Sequence, residues 1–393
     1  MAAPPAPHPP SLLGYHRILS PLAGLRVSPL CLGTMHFGGA WGFAMGEVTK
    51  ETAFALLDKF YSLGGNFIDT ANFYQFEGSE TWIGEWLADR TAMGQVNRDE
   101  LVLATKYTFG YRVRKPEKIQ SNFQGCHSKS MRLSVEASLK KLGTDYLDLL
   151  YVHMWDFSTG VEEVMQSLHH LVAAGKVLNI GISDAPAWVV VKCNEYARFH
   201  GLTRFCVYQG KWSCSFRDLE REIIPMCQSE GLALAPWGAL GRGQYRTPEE
   251  FEKGGRKMGP QEEKNIVMAE KLTEIGKRKG GVQPTSIALA YLLQKVPYVF
   301  PVIGCRTVQQ LETNLEALEV DLSAEEIHEI EDTLPFDAGF PMAFLFECPG
   351  QKFRTDMTTR HIWQVTASSR LETVPKPRPI EPKQGRNQAD PKR

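Results

Sequence analysis

Asp69, Tyr74, Lys106 and His153 are four side chains whose types together could reduce a carbonyl without a metal. A tyrosine phenol has an ordinary pKa of about 10, so it holds its proton at neutral pH and is a poor acid until a nearby cation favours the phenolate. Lys106 supplies such a cation, and the Asp69 carboxylate would hold the ammonium in place and keep it charged. His153 can hydrogen-bond the oxygen of a bound carbonyl. Hydride delivered to the carbonyl carbon leaves negative charge on oxygen, which Tyr74 would quench by donating its proton. In reverse, the same phenol would act as base in alcohol oxidation. Taken singly, the residues have plainer readings: Asp69 with Lys106 as a structural ion pair, Tyr74 as a pocket-wall aromatic, His153 as a core histidine.

These four positions lie at or just beyond the ends of apolar runs. Residues 66–69, 101–106 and 146–153 are each short, apolar and bounded by turn residues, with a helical pattern between one and the next. That pattern predicts parallel strands joined by crossover helices. Further strand candidates are 30–33, 177–183, 205–209, 232–235 and 298–303. Helical spacing covers 49–63, 129–142, 161–174, 186–200, 219–230, 261–278 and 308–317, and the run SAEE at 323–326 is a capping box for one more helix. The expected fold is α/β, a (β/α)₈ TIM barrel, in which all strand carboxyl ends open onto one face.

The segments GGNFIDTANFY (64–74), ATK (104–106) and DLLYVH (148–153) resemble the tetrad region of the aldo-keto reductases. The resemblance continues through GISDAPAW (181–188), VYQGKWS (207–213), LALAPWGALGRG (232–243) and PVIGCRTVQQLETNLEAL (301–318), covering residues 14–335 in order. Within that superfamily the chain is most similar to the fungal aryl-alcohol dehydrogenase and norsolorinic acid reductase branch. The resemblance implies an NADP(H)-dependent carbonyl reductase or alcohol dehydrogenase of secondary metabolism. Its substrate would be an aryl or polyketide-type aldehyde or ketone, with Tyr74 as proton donor.

No G-x-G-x-x-G follows the first strand and no Walker-type loop is present, so a dinucleotide must bind by other means. Residues 304–314 follow the last strand and open a helix, and the loops after strands seven and eight are where barrels commonly bind phosphate. Arg306 offers a planar charged fork suited to a 2′-phosphate, which would favour NADP over NAD. By resemblance, Gln310 and Asn314 face the adenosine end, Ser183, Asp184 and Gln209 meet the nicotinamide carboxamide, and Trp237 stacks on the ring. Thr34, Met35, Asp69 and Gly304 join this cofactor set. So does the loop Gly238, Ala239, Leu240, Gly241, Arg242, Gly243, although Arg242 stands where relatives often have a small residue. Ser183 and Asp184 also read as caps for the helix beginning near Pro186. Trp41, Tyr107 and Trp155 sit in or beside loops after strands and are candidates for an aromatic substrate pocket.

A chain of 393 residues suits one barrel with tails: a flexible proline-rich segment over 1–13, the barrel over 14–345, and a partly disordered extension over 346–393. With 44 basic against 45 acidic residues, the charge gives no reason to expect nucleic acid or an anionic membrane as partner. Eight cysteines show no C-x-x-C spacing, so no metal is expected and the thiols read as reduced. Without a signal peptide or a long apolar run, the expectation is a cytoplasmic protein, monomeric or weakly oligomeric. Two other readings stand beside the reductase: a nucleotide-binding regulatory subunit resembling the potassium-channel β-subunits, and an aryl-alcohol dehydrogenase working oxidatively.

Overall fold

The computed structural model describes residues 4–252 and 259–383. The first residues of the proline-rich tail, the centre of the long loop after the seventh barrel strand and the last residues of the extension lie outside the described residues.

The described residues form ten strands: β1 (Arg17–Ser20), β2 (Ala23–Val27), β3 (Cys31–Gly33), β4 (Phe67–Asp69), β5 (Val102–Tyr107), β6 (Leu147–Val152), β7 (Val177–Ser183), β8 (Val207–Lys211), β9 (Ala233–Trp237) and β10 (Val302–Ile303). Eight of them form one parallel sheet in the order β10-β3-β4-β5-β6-β7-β8-β9. The ring closes where Leu234 N–H donates to Tyr298 O at 2.9 Å and Phe300 N–H donates to Leu234 O at 2.8 Å. Every residue of β5 and β6 is buried, because helices cover the outer face of a barrel while side chains fill its interior. This is the (β/α)₈ barrel expected from the strand and helix periods.

The β1–β2 hairpin is an addition to that expectation. Its Leu19, Ala23 and Val27 pack in one cluster with the barrel-lining Cys31, Phe67, Val102, Leu149, Val207 and Phe300. The strands' first residues dominate this cluster, so the hairpin plugs the amino-terminal end and leaves the carboxyl end for chemistry.

The helix Ser128–Leu142 starts at His127, whose ring accepts from Ser130 N–H, and stops at Gly143, whose φ of 65° suits a residue without Cβ. Gly84, on the helix Gly78–Ala92, lets these two helices meet closely: a Cβ there would lie 1.9 Å from Lys141 O. The helix Pro284–Lys295, absent from the sequence expectation, is buried from Ser286 through Leu293. A helix enclosed on all sides has no polar face, and its period is correspondingly hard to see.

Both ends engage the barrel. Leu13 is fully buried in the main core, and the Ser11 hydroxyl donates to Leu63 O at 2.7 Å. In the extension, Phe353 and Thr355 are buried, and Arg354 pairs with Glu331 and Asp332 of the helix Ala324–Asp332. Glu331 also meets Lys295, within a buried charge cluster that includes Arg217 and Glu220. Among the described residues, no helix is long and apolar enough to cross a membrane.

Candidate active site

The register places the ends of β4, β5, β6 and β8 at one mouth of the barrel. Lys106, fully buried on β5, donates to Asp69 Oδ1 at 2.5 Å, to Thr70 O at 2.8 Å and to Tyr74 Oη at 3.1 Å. All three ammonium protons are used. Gln209 Nε2, from β8, donates to the other carboxylate oxygen, Asp69 Oδ2, at 2.9 Å. His153 follows β6 and sets its ring edge-on to Tyr74, with centroids 5.7 Å apart and planes at 79°. The four residues singled out by chemistry are therefore brought together.

Burial works against the Lys106 ammonium, but Asp69 and the Tyr74 oxygen outweigh it and raise the pKa. Burial also raises the Tyr74 pKa; Lys106 opposes this only in part. The sequence expectation stressed the lysine's pull toward phenolate, whereas in the fold desolvation dominates and the phenol stays protonated. Burial, with Lys106 adding to it, holds His153 well below the ordinary histidine range, so the imidazole is neutral near pH 7. Its Nδ1 is buried without a hydrogen-bond partner in the structure.

The turn carrying Tyr74 is strained. Gln75, Phe76 and Glu77 have φ of 55°, 51° and 80°, three successive L-residues in the left-handed region. Each costs roughly 1 kcal/mol or more, so the surroundings must hold them. Gln75 does so from a buried position: Oε1 accepts Trp41 N–H at 2.8 Å and Nε2 donates to Met35 O at 3.0 Å. Glu77 pairs with Lys115 at 3.2 Å and Lys141 at 3.5 Å.

An aromatic wall adjoins the tetrad. Trp41 lies 5.3 Å from Phe73, 6.4 Å from Tyr74 and 5.6 Å from Phe76, while Phe109 lies 5.6 Å from Phe73 and 4.6 Å from His153. These rings are partly exposed. Of the three pocket candidates, only Trp41 joins them. Tyr107 is fully buried with its hydroxyl donating to Cys126 O at 3.1 Å, and Trp155 is buried in the main core. Side chains alternate along a strand, so with Lys106 pointing into the barrel Tyr107 must point out toward the helices. Phe73, Phe76 and Phe109 were missed, although two of them flank Tyr74 within two positions and the third follows Lys106 by three.

A second group of residues surrounds the mouth on the β7, β9 and β10 side. Ser183 is buried beside Asp184, whose Oδ1 accepts the Trp237 indole N–H at 3.2 Å. Neither caps the helix Ala187–Phe199, whose N-cap is Pro186 with no side-chain cap bond, so the capping reading of this pair does not hold. Gly238, Gly241 and Gly243 take φ of 71°, 57° and 82°, and Arg242 follows them at 58°. Ala239 is buried, and Leu240 packs against the core. The Thr34 hydroxyl donates to Asp69 O at 2.9 Å, tying β3 to β4; Met35 beside it is partly exposed.

After β10, Gly304 is exposed, Arg306 N–H donates to Gln310 Oε1 at 2.9 Å, and the Asn314 amide is buried against Cys305 Sγ at 3.3 Å. His36 Nε2 meets Cys305 O at 2.6 Å and ties the loops after β3 and β10 together. Arg246, which the sequence reading passed over, sits near enough to Arg306 that burial and then that second guanidinium lower its pKa. An arginine in each of the loops after β9 and β10, with a half-exposed indole between them and the tetrad, suits a phosphate-bearing dinucleotide.

Residues 29–334 match the model of the aldo/keto reductase family. The chain belongs to that family. It is an oxidoreductase by family, and the relatives it resembles carry related names. It is 78% identical over 391 residues to norsolorinic acid reductase stcV of Emericella nidulans, covering 99% of this chain and 100% of that protein. Norsolorinic acid reductase A of Aspergillus parasiticus is 63% identical over 385 residues, covering 98% of each chain. Aryl-alcohol dehydrogenase [NADP(+)] of Phanerodontia chrysosporium is 48% identical over 354 residues, covering 86% of this chain and 90% of that protein. In this aldo/keto reductase the tetrad thus sits at the carboxyl end of the barrel, where that fold carries its chemistry.

Proposed function

We propose that this protein is a cytoplasmic NADP(H)-dependent reductase of an aryl or polyketide-type aldehyde or ketone, with Tyr74 as the proton donor. The observation that carries the reading is the Tyr74 hydroxyl 3.1 Å from an ammonium that Asp69 holds buried and charged. The names of the similar norsolorinic acid reductases and aryl-alcohol dehydrogenase support the substrate class and the cofactor.

When bound, the nicotinamide would supply hydride to the carbonyl carbon. Ser183, Asp184, Gln209 and Trp237 are the residues to hold that ring, with Arg306, Gln310, Asn314 and Arg246 toward the phosphate and adenosine end. Neutral His153 donates one N–H to the carbonyl oxygen and orients it. Tyr74 transfers its proton to that oxygen as charge develops, and adjacent Lys106 stabilises the phenolate left behind. The aryl-alcohol dehydrogenase likeness also supports the reverse reaction, with Tyr74 as base; concentrations decide the direction.

The test is NADPH consumption with aryl aldehydes and polycyclic aromatic ketones, comparing the wild type with Tyr74→Phe. Turnover that collapses by about a hundredfold or more while NADPH still binds supports the assignment. Unchanged turnover in the variant overturns the proton-donor role, and tight NADPH binding without turnover on any carbonyl favours a regulatory nucleotide-binding protein.

A further inference from the structure

The aromatic wall beside the tetrad ends in a cation. The Arg114 guanidinium carbon lies 3.7 Å from the centroid of the Phe76 ring, and Phe76 in turn contacts Trp41, which contacts Tyr74. The two cations nearest Arg114 in this loop have carboxylate partners: Arg112 pairs with Glu117, and Lys115 with Glu77 at 3.2 Å. Arg114 is exposed, and among the described residues no carboxylate pairs with it. Stacking on a ring restrains a guanidinium while leaving the N–H groups on its edge free to donate. Arg114 is thus a restrained donor fork at the rim of an apolar cluster of edge-to-face rings that leads to the proton donor.

We infer that Arg114 is a specificity-determining residue that pairs with an acidic oxygen, phenolate or carboxylate, on a flat aryl carbonyl whose rings lie along Phe76 and Trp41. The inference rests on the aryl-carbonyl reading above and adds to it the charge of the substrate. The wall recognises aromatic area, which neutral and anionic substrates share equally, whereas the Arg114 fork discriminates between them.

The experiment compares kcat/KM for a formyl naphthoate and its methyl ester, and for a hydroxynaphthaldehyde ionised at the assay pH and its methyl ether. It uses the NADPH-loaded wild type, Arg114→Ala, Arg114→Lys and Lys118→Ala, the last removing an exposed cation of the same loop. The expected result is an anion-to-neutral ratio that falls about five- to tenfold in Arg114→Ala, mainly through KM. The ratio should recover partly in Arg114→Lys and hold steady in Lys118→Ala. Whichever pair shows the change identifies carboxylate or phenolate as the group recognised.

Equal losses for anionic and neutral members, no change in either ratio, or the same fall in Lys118→Ala would overturn the inference. Quenching of tryptophan fluorescence on binding the same compounds reads the ratio without turnover. A protein that reduces no aryl carbonyl yet shows Arg114-dependent anion preference in binding therefore fails the functional reading and keeps this one.

Discussion

Gln209 and Asp69 are joined across the barrel by a hydrogen bond of 2.9 Å from Nε2 to Oδ2, although β8 and β4 lie on opposite sides of the ring. The two oxygens of one buried carboxylate are thereby divided, Oδ1 to Lys106 and Oδ2 to Gln209. Gln209→Leu should leave Oδ2 unpaired in the interior. The expected cost is about 1–3 kcal/mol in unfolding free energy, with kcat down about tenfold as the carboxylate and ammonium lose alignment. Gln209→Glu should be worse, because it sets a second carboxylate against the first. Thermal unfolding and steady-state kinetics of both variants check this.

Removing Lys106 strands a carboxylate. Lys106→Met is expected to cost about 3–5 kcal/mol, because a buried charge without its partner is more costly than no pair at all. The double variant Asp69→Asn/Lys106→Met should regain part of that stability and remain inactive. Chemical denaturation of the two single variants and the double one measures the coupling; additive losses would contradict it.

The directions of the pKa shifts predict a pH profile. Tyr74 and Lys106 are shifted upward and His153 downward, so none changes charge between about pH 6.5 and pH 9. The kcat/KM for carbonyl reduction should be level across that window and fall only on the alkaline side, as the phenol loses its proton. For stability the sign runs the other way on the acid side: with the folded pKa of His153 depressed, the unfolded chain takes up the proton first, and this contribution is lost as pH falls below about 6.5. An acid limb in kcat/KM that disappears in His153→Asn and starts near 6.5 would show the histidine to be ordinary.

Asp156 organises the loop that follows His153. It accepts N–H bonds from Cys126 at 2.6 Å and from Ser158 and Thr159 at 2.9 Å each. Burial pushes its pKa up, but these donors win and bring it down to about 2. Its contribution is therefore present above the unfolded carboxyl pKa of about 3.9 and lost as pH falls toward 2, on the order of 1 kcal/mol once solvent screening of the partly exposed group is allowed for. Asp156→Asn should remove that component from the acid-unfolding curve.

Gly84→Ala tests the helix contact behind the site. The added methyl would meet the backbone carbonyl of Lys141 at 1.9 Å and push apart the helices that Glu80 and Lys141 join by a 2.7 Å ion pair. A loss of about 2–3 kcal/mol is expected by denaturant titration, with a smaller effect on kcat.

Much of the fold was legible because its signals are local. Apolar runs ending in turn residues mark the parallel strands, and the SAEE run predicted a capping box that forms, with Ser323 accepting from Glu326 N–H and the Glu326 carboxylate accepting from Ser323 N–H. The β1–β2 hairpin went unread because its two strands are short and irregularly buried, with a register shift between Ile18 and Ser20. The helix Pro284–Lys295 went unread because burial on all sides erases the amphipathic period.

The sequence alone determined which groups are available: an acid, a cation, a carboxylate and a histidine, each at or just beyond the end of an apolar run, in an order that parallel strands bring to one face. Tertiary structure decided what those groups experience. It turned Tyr107 outward and Trp155 into the core, assembled Trp41, Phe73, Phe76 and Phe109 from three loops into one wall, and set Gln209 against Asp69 across the barrel. It also made burial, rather than Lys106, the dominant influence on Tyr74. Desolvation and contact between distant strands arise from packing the whole chain in three dimensions, so neither is a property of any local segment.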